Sequence, residues 1–146
     1  AEEIAQDAFL KAYRSLKDFK RKSSFATWLY RIVYNTAISL VRTRKNRVLS
    51  VEEFPVDAVD FLNFSSTEEE AADDYRNSLI NFALQKISEE ERGLITLYYY
   101  NELDTEEITK ITGISRSNIK VRLFRARQKM AEIIRKVEMK NVFYHE

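Results

Sequence analysis

The sequence has no cysteine, two glycines, one proline and a single histidine. Without cysteine it can form neither a disulfide framework nor a thiolate site, and a reducing compartment is expected. So little glycine and proline excludes a fold built of many short strands and tight turns. The lone histidine, His145, argues against a histidine-based metal or catalytic site. No apolar run approaches membrane-spanning length, and no secretory signal peptide is recognisable.

Charge is abundant but segregated along the chain. Residues 1–47 carry 11 Lys/Arg and 4 Asp/Glu, for a balance of +7. Residues 48–75 carry none and 9, for −9, and residues 76–146 carry 13 and 10, for +3. Two basic segments separated by an acidic one favour an anionic partner that is contacted twice. The alternative for each charged run is a solvated helix surface.

Hydrophobic periodicity predicts an all-α chain of two small helical domains joined by an acidic linker. The first domain, residues 1–47, contains a helix over 2–19 and a longer helix over 25–44. Residues 48–66 lose the periodicity and form the linker, and residues 67–146 resume it. Ser24 and Thr67 suit helix N-caps. The predicted inward stripe of the first helix is Ile4, Ala8, Ala12, Leu16 and Phe19, and that of the second runs from Phe25 through Val33 to Leu40.

The last third of the chain has the order of a helix-turn-helix. A helix over about 88–100 comes before it, and Asp104 and Glu107 then have the spacing of a capping box at the start of a short helix. Gly113 follows, as the residue best able to adopt a positive φ in a turn. Ser115 then caps a long basic helix that extends to about Met139. A short helix, a glycine turn and a longer helix are typical of a DNA-binding unit.

The long helix is basic and has an apolar face and an outward face. Residues 115–136 hold eight Lys/Arg against one acid, whereas residues 86–107 hold two against seven. The predicted inward stripe is Ile119, Leu123, Ala126, Met130, Ile133, Ile134 and Val137, and the outward face is Ser117, Val121, Phe124, Arg125 and Gln128. Lysine and arginine neutralise phosphates, and outward side chains can reach base edges in the major groove. Packing on a protein partner is the alternative.

The 25–44 helix carries an aromatic residue among cations. Tyr34 is predicted to point away from the apolar stripe, near Arg31 and Asn35. Such a site suits single-stranded nucleic acid, because bases stack on rings while cations follow the backbone. The alternative is that Tyr30 and Tyr34 pack against the linker or a neighbouring helix.

Three stretches resemble the bacterial sigma factors of the extracytoplasmic-function group, also called group IV. AEEIAQDAFLKAYRSLKDF is similar to their second conserved domain from its polymerase-binding helix onward, and SSFATWLYRIVYNTAISLVRTRK to the long helix that opens promoter DNA. LDTEEITKITGISRSNIKVRLFRARQKM resembles the helix-turn-helix of their fourth domain. The motifs F-x-T-W-L-Y-R-I-x-x-N-T-A and I-K-x-R-L-F-R-A-R, in this order, are highly specific. The chain resembles an N-terminally truncated member, because another helix normally precedes the first one here.

The resemblance implies a promoter-specificity factor that binds core RNA polymerase, recognises promoter DNA and helps to melt it. It also implies a bacterial cytoplasmic location, an anti-sigma factor that can hold the protein at the membrane, no membrane insertion and no cofactor. No catalytic residue and no metal site are expected. The implied polymerase-binding residues are Gln6, Asp7, Phe9, Leu10 and Arg14. The implied single-stranded DNA-binding residues are Lys20, Arg21, Lys22, Ser23, Ser24, Arg31, Tyr34 and Asn35. The implied duplex DNA-binding residues are Arg116, Ser117, Lys120, Val121, Arg122, Phe124 and Arg125.

Two positions depart from the family pattern. Gly93 stands where a larger residue is usual, which puts the stability of its helix in doubt. Val121 replaces a small polar residue, so a methyl contact to a base is expected there instead of a hydrogen bond. The alternative functions are a free-standing helix-turn-helix regulator, with a ligand pocket near Trp28, and a regulator that binds only proteins. An enzyme is the least favoured class, because no paired carboxylates or nucleophile–base set is present.

Overall fold

The computed structural model describes residues 2–48 and 68–143, all of whose regular structure is helical, which confirms the all-α prediction. The predicted linker after residue 48 and the predicted cap at Thr67 lie outside the described residues. The helices are α1 (Glu2–Ser15), α2 (Phe25–Val48), α3 (Glu68–Lys86), α4 (Glu89–Ile95), α5 (Thr105–Thr112) and α6 (Arg116–Phe143).

Helices α1 and α2 pack against each other and form the N-terminal unit. Ser24 caps α2 as predicted: the Thr27 backbone N–H donates to its Oγ at 3.1 Å. The rings of Phe19, Phe25 and Trp28 cluster at the base of the connecting loop, with centroids 5.2 to 5.8 Å apart. This aromatic cluster fixes the two ends of the loop over residues 20–24.

The predicted inward stripes of this unit are only partly buried. Ala8 and Ala12 are buried, but Leu16 is 49% exposed, so its prediction as an inward residue was wrong. The chain leaves the α-helix at Ser15 and continues as a 3₁₀ turn, Leu16–Asp18, whose tighter winding rotates Leu16 away from the stripe. On α2, Phe25 and Val33 are also exposed, at the first turn and in the middle of the helix. The N-terminal unit therefore has a thin core.

Helices α3 to α6 form a C-terminal unit around a larger core. The largest fully buried side chains there are Leu94, Ile108, Ile111 and Ile119. Burial of one such side chain stabilises the fold by roughly 1.5–3 kcal/mol. Leu84, Ile87, Ile95, Leu97, Leu123 and Ala126 complete this core.

The boundaries within the C-terminal unit follow local backbone chemistry. Ser88 and Glu91 form a reciprocal capping box at the start of α4, which remains a regular helix through Gly93. The predicted helix to Tyr100 instead changes at Ile95 into a π-helical turn, Thr96–Tyr100. Its wider winding is closed by the hydrogen bond from the Asn101 N–H to the Thr96 carbonyl at 3.0 Å.

The helix-turn-helix is formed as predicted. Asp104 Oδ1 accepts hydrogen bonds from the backbone N–H groups of Glu106 and Glu107, each at 2.8 Å. The Glu107 side chain accepts the backbone N–H of Asp104, which completes the capping box. Gly113 adopts φ = 76° after α5, which a residue without a Cβ does at little cost. The next helix, α6, begins at Arg116 and is a few residues longer than predicted.

The two units contact each other. Helix α2 of the N-terminal unit lies against α5 and α4 of the C-terminal unit. Tyr30 and Tyr34 pack against the C-terminal core, and the Asn101 side-chain amide donates to the Tyr30 hydroxyl at 3.1 Å. Of the two interpretations of these tyrosines, packing against a neighbouring helix is the arrangement found.

Candidate nucleic-acid interface

The outward face of α6 is exposed, as the helical wheel predicts. Val121 is 45% exposed and Phe124 is 53% exposed, although large apolar side chains of a small unit are usually covered. On the opposite side of the same helix, Ile119, Leu123 and Ala126 are buried. The inward stripe therefore fixes α6 to its unit and leaves Val121 and Phe124 in contact with solvent.

Most cations of α6 already have partners. Arg122 Nη1 lies 3.2 Å from Glu90 Oε2, and Lys129 pairs with Glu91. Arg127 donates to the Tyr99 hydroxyl at 2.7 Å, Arg116 Nε donates to the Thr105 hydroxyl at 3.1 Å, and Lys136 pairs with Glu132. The Lys136 pair lies within α6, and the other four contacts orient α6 on α4, α5 and the π-helical turn.

Two cations on or beside the outward face are different. In the described part of the chain, Lys120 and Arg125 have no hydrogen-bond or ion-pair partner, and both are exposed. They lie beside Val121 and Phe124 on α6, which makes a surface of two apolar side chains and two uncompensated charges. We call these four residues the duplex face.

The other predicted duplex-binding residues lie around this face. Arg116 and Ser117 are exposed at the first turn of α6, where the Ser117 hydroxyl is 3.5 Å from that of Ser115. Arg122 is directed elsewhere, because its guanidinium also donates to Asn118 Oδ1 at 3.3 Å and faces Glu90 on α4. The structure thus separates Arg122 from the duplex face, and its role as a DNA contact stays a prediction.

The basic loop between α1 and α2 presents its charges to solvent. Lys20, Arg21 and Lys22 are exposed, and Arg21 adopts φ = 53°, a left-handed conformation that is uncommon for a residue with a side chain. Ser23 is partly buried. The Ser24 hydroxyl caps α2 and donates a 2.9 Å hydrogen bond to Thr27 Oγ1. The three cations are therefore free to contact an anion, whereas Ser24 acts structurally in this arrangement.

Further along α2, Arg31 and Asn35 are exposed, whereas Tyr34 is partly buried. The Tyr34 ring lies against Gly93, where the Cβ of any other residue would be 3.1 Å from Tyr34 Cε2. Burial raises the pKa of the Tyr34 hydroxyl, and the nearby carboxylate of Glu90 raises it further. We call Arg31, Tyr34, Asn35 and the basic loop the strand face.

The predicted polymerase-binding surface on α1 is exposed and partly apolar. Phe9 is 70% exposed and Leu10 48%, and Gln6 and Arg14 are exposed beside them. Asp7 is less accessible and forms an ion pair with Lys11 at 3.0 Å. Exposed aromatic and aliphatic side chains together are typical of a protein-binding surface.

The structure adds two surfaces to those predicted. Tyr13 is 71% exposed one turn after Phe9, and this four-residue spacing is the sequence signal that places it on the same face.

An apolar groove of about 410 Å³ lies between α3, the π-helical turn and α6. Its signal in the sequence is the run Tyr98–Tyr100, because three consecutive tyrosines cannot all be buried in one helix. The groove is lined by Ile80, Ile95, Tyr99, Tyr100, Arg127, Met130, Ala131 and Ile134.

Within residues 2–48 and 68–143, no helix is both long enough and apolar enough to cross a membrane. The same ranges hold no cluster of three or more His, Cys, Asp or Glu residues that could bind a metal ion.

Comparison with known proteins identifies the family. Residues 1–47 match the family described as Sigma-70 region 2, and residues 79–130 match Sigma-70, region 4. The RNA polymerase sigma-H factor of Pseudomonas aeruginosa is 32% identical over 134 residues, which cover 88% of this chain and 69% of that protein. The ECF RNA polymerase sigma-E factor of Escherichia coli is 33% identical over 135 residues, 86% of this chain and 69% of that one. The chain belongs to the extracytoplasmic-function sigma factors.

Two solved structures share the fold of this sigma factor. The sigma factor RpoE in complex with the anti-sigma factor NepR, from Bartonella quintana, aligns over 92% of this chain and 80% of its own, with a TM-score of 0.69 and 24% identity. CnrH in complex with the cytosolic domain of CnrY aligns over 92% and 71%, with a TM-score of 0.60 and 21% identity. The duplex face lies within the matched region 4, and the strand face lies within the matched region 2.

Proposed function

We propose that this chain directs RNA polymerase to promoters, with a division of labour between its two units. Residues 1–47 hold the melted strand and bind polymerase, residues 67–146 recognise duplex DNA, and residues 48–66 connect them. Membership of the sigma family supports the role as a whole. The assignment of each face is our proposal, and the following observations on individual side chains support it.

The observation that carries the duplex assignment is the composition of the duplex face. Lys120 and Arg125 lack compensating partners among the described residues, and Val121 and Phe124 are exposed between them. An arginine on a recognition helix can make a bidentate contact to guanine, and apolar side chains can contact thymine methyl groups. Val121 has no side-chain donor or acceptor, so it contributes shape and apolar contact only. Arg125 is the residue of this face best suited to read a base.

The strand assignment depends on the basic loop and on α2. Lys20, Arg21 and Lys22 are exposed together and can neutralise the backbone of a single strand. Tyr34 offers a ring on which an unpaired base can stack, and Arg31 and Asn35 on the same helix offer charge and hydrogen bonds. Such a site stabilises the melted state, because a duplex keeps its bases in the stack.

The partners follow from this role. The α1 surface around Phe9 and Leu10 binds core RNA polymerase, and promoter DNA is contacted by both units. The two solved relatives are complexes with anti-sigma factors, which supports an anti-sigma factor as a further partner here. The protein acts in the cytoplasm, where polymerase and chromosome are, and an inhibitor can hold it at the membrane. It acts by binding, and we assign no catalytic residue.

The Arg125→Ala substitution tests the duplex assignment. The measurement is binding of the sigma–core polymerase holoenzyme to a promoter fragment selected from the genome by transcription, and to a scrambled duplex. We expect a loss of roughly 1–3 kcal/mol on the promoter and a much smaller loss on the scrambled duplex. The matched control is Arg135→Ala, which removes another exposed arginine of α6, about 15 Å further along the helix and outside the duplex face.

An equal loss on both duplexes would reduce Arg125 to a phosphate contact. No loss on either would overturn the assignment of the duplex face. Tight promoter binding by the chain without core polymerase would instead favour a free-standing helix-turn-helix regulator.

A further inference from the structure

The two flanks of α6, on either side of its outward face, differ in what their cations contact. Lys120 and Arg127 lie along the first flank, and Arg122 and Lys129 along the second. Lys120 has no partner among the described residues, and Arg127 donates to the Tyr99 hydroxyl. In the described part of the chain, neither cation of the first flank pairs with a carboxylate. This flank therefore keeps its positive charge for an anion outside the protein.

The second flank is neutralised by the first turn of α4. Arg122 Nη1 lies 3.2 Å from Glu90 Oε2, and Lys129 pairs with Glu91. Residues 122 and 129 are seven apart, which is two turns of a helix, so both cations face α4 from the same side of α6. Two adjacent carboxylates of α4 thus neutralise this flank in the way that the phosphates of a duplex would.

Arg122 is the cation of the second flank that lies next to the duplex face. It follows Val121 in the chain, and Asn118 Oδ1, one turn earlier, accepts its Nε at 3.3 Å. The guanidinium is therefore held at two points, by Glu90 through Nη1 and by Asn118 through Nε. Because 38% of the Arg122 side chain is exposed, Glu90 and a phosphate in solution compete for the same guanidinium.

Glu90 is itself fixed in place. Its Oε1 accepts Arg42 Nη2 of α2 at 3.4 Å, while its Oε2 faces Arg122. A carboxylate held from both sides stays beside Arg122 and repels a phosphate that approaches the same guanidinium. Both oxygens are thus engaged, and a negative charge stays at the edge of the duplex face.

We propose that Glu90 is a positioning residue that holds Arg122 away from the DNA backbone and so lowers the sequence-independent affinity of α6 for duplex DNA. The inference rests on the proposed function, in which α6 binds duplex DNA. Phosphate contacts add affinity on every sequence, whereas base contacts distinguish sequences. With its second flank neutralised from within, α6 depends more on Lys120 and Arg125 of the duplex face. Glu90 thus reduces binding to duplex DNA that has no promoter sequence.

Glu90→Gln is the variant that tests the proposal, because it removes the charge and keeps the shape of the side chain. Glu90 is partly exposed and is not part of the capping box of α4, so the helix is retained. The matched control is Glu89→Gln, which removes the same charge at the preceding, exposed position. A second control is Arg42→Gln, which removes the other partner of Glu90 and leaves the Arg122 pair in place.

The measurement is binding of the full chain to a fluorescein-labelled duplex of scrambled sequence, by anisotropy, at KCl concentrations from about 50 to 200 mM. Each phosphate contact adds about 0.9 to the steepness of log K against log salt concentration. We expect Glu90→Gln to steepen the slope by about 0.9 and to bind about eightfold more tightly at about 0.1 M KCl. Glu89→Gln and Arg42→Gln should not steepen the slope. An unchanged slope in Glu90→Gln, or the same steepening in either control, would overturn the proposal.

Substitutions of the cations test the difference between the two flanks. Lys120→Gln in the parent should make the slope shallower by about 0.9, because Lys120 is uncompensated. Arg122→Gln in the parent should change the slope much less, yet in the Glu90→Gln background it should remove the whole gain. Equal losses for Lys120→Gln and Arg122→Gln in the parent would show that Arg122 contacts phosphate while Glu90 is present, which contradicts the proposal. A gain that survives Arg122→Gln would contradict it as well, because the effect would then belong to the charge of Glu90 alone.

Failure of this proposal is distinguishable from failure of the function on which it rests. If Arg125→Ala weakens promoter binding by the holoenzyme but Glu90→Gln keeps the slope of the parent, then the duplex assignment stands and only the role of Glu90 fails. If Arg125→Ala has no effect and Lys120→Gln leaves the slope unchanged, then the duplex assignment fails and the role of Glu90 fails with it.

Discussion

The duplex face and the strand face differ in how they meet solvent. On α6, Val121 and Phe124 are about half exposed, beside two cations that have no partner among the described residues. On α2, the Tyr34 ring lies against Gly93 of α4 and is partly buried, whereas Arg31 and Asn35 are exposed. The duplex face is therefore open to solvent, whereas the aromatic ring of the strand face is partly covered by α4.

The substitution with the largest expected effect removes the common support of the duplex face and the Tyr34 contact. Leu94 is fully buried on α4, the helix that lies against Tyr34, and it shares a core with Ile119 and Leu123 of α6, the helix that carries the duplex face. Leu94→Ala should lower the free energy of unfolding by about 2–5 kcal/mol, because it leaves a cavity in a close-packed core. Urea denaturation measures the loss. Val121→Ala is the control and should change stability little; an equal loss in both variants would contradict the buried–exposed contrast.

A crossed pair of substitutions in the holoenzyme sharpens the contrast between the two faces. Tyr34→Ala should destabilise the open promoter complex by roughly 1–3 kcal/mol, since it removes a stacking ring, and leave the initial duplex complex unchanged. Phe124→Ala should weaken the initial duplex complex and leave strand opening, once bound, unchanged. Permanganate reactivity reports unpaired thymines and filter binding reports the duplex complex. If both variants failed at the same step, the proposed division of labour would be wrong.

The capping box of α5 is expected to have a moderate effect on the stability of the helix-turn-helix that carries the duplex face. Asp104 accepts two backbone N–H groups at 2.8 Å at the start of the helix that precedes the turn. Asp104→Ala should cost about 1 kcal/mol of unfolding free energy. Asp104→Asn keeps a capping oxygen and should retain most of the stability in thermal denaturation. Equal losses in both variants would show that charge, and not capping, is responsible.

The smallest expected effect is a pH dependence in the C-terminal unit. Partial burial opposes ionisation of Glu91, but hydrogen bonds from Lys129 and Ser88 outweigh it and hold the pKa of the carboxyl below its usual range. A carboxyl whose pKa is lowered in the folded state stabilises the fold at pH values above the usual carboxyl pKa. This stabilisation is lost as the pH falls through the lowered pKa. Urea denaturation of the parent and Glu91→Gln measures it. The two proteins should become more alike in stability as the pH falls, and a constant difference would contradict the assignment.

Local rules predicted much of the fold. The caps at Ser24, Ser88 and Asp104 and the turn at Gly113 were predictable because each depends on chemistry within a few residues of the chain. The exposed face of α6 was predictable for a similar reason, since a helix of regular period presents fixed faces. Leu16 was wrongly predicted to face inward because a short 3₁₀ turn changes the helical period there. No residue in the turn indicates this change in the sequence.

The covering of Tyr34 was not predictable from the periodicity of α2. A helical period tells which residues share a face, but another unit of the chain can cover any face. The sequence feature connected with the covering of Tyr34 is the glycine at position 93. This glycine suggested a weak helix, yet α4 is regular and the glycine instead admits the Tyr34 ring. The partner of Arg122 likewise depended on the tertiary position of Glu90.

The most direct test of the central claim is run-off transcription by purified core RNA polymerase on fragments of the source genome, with and without this chain. The account predicts discrete transcripts that require the chain, are lost from the same promoters with Arg125→Ala, and persist with Arg135→Ala. Transcription no different from that of core polymerase alone, on every fragment, would contradict it.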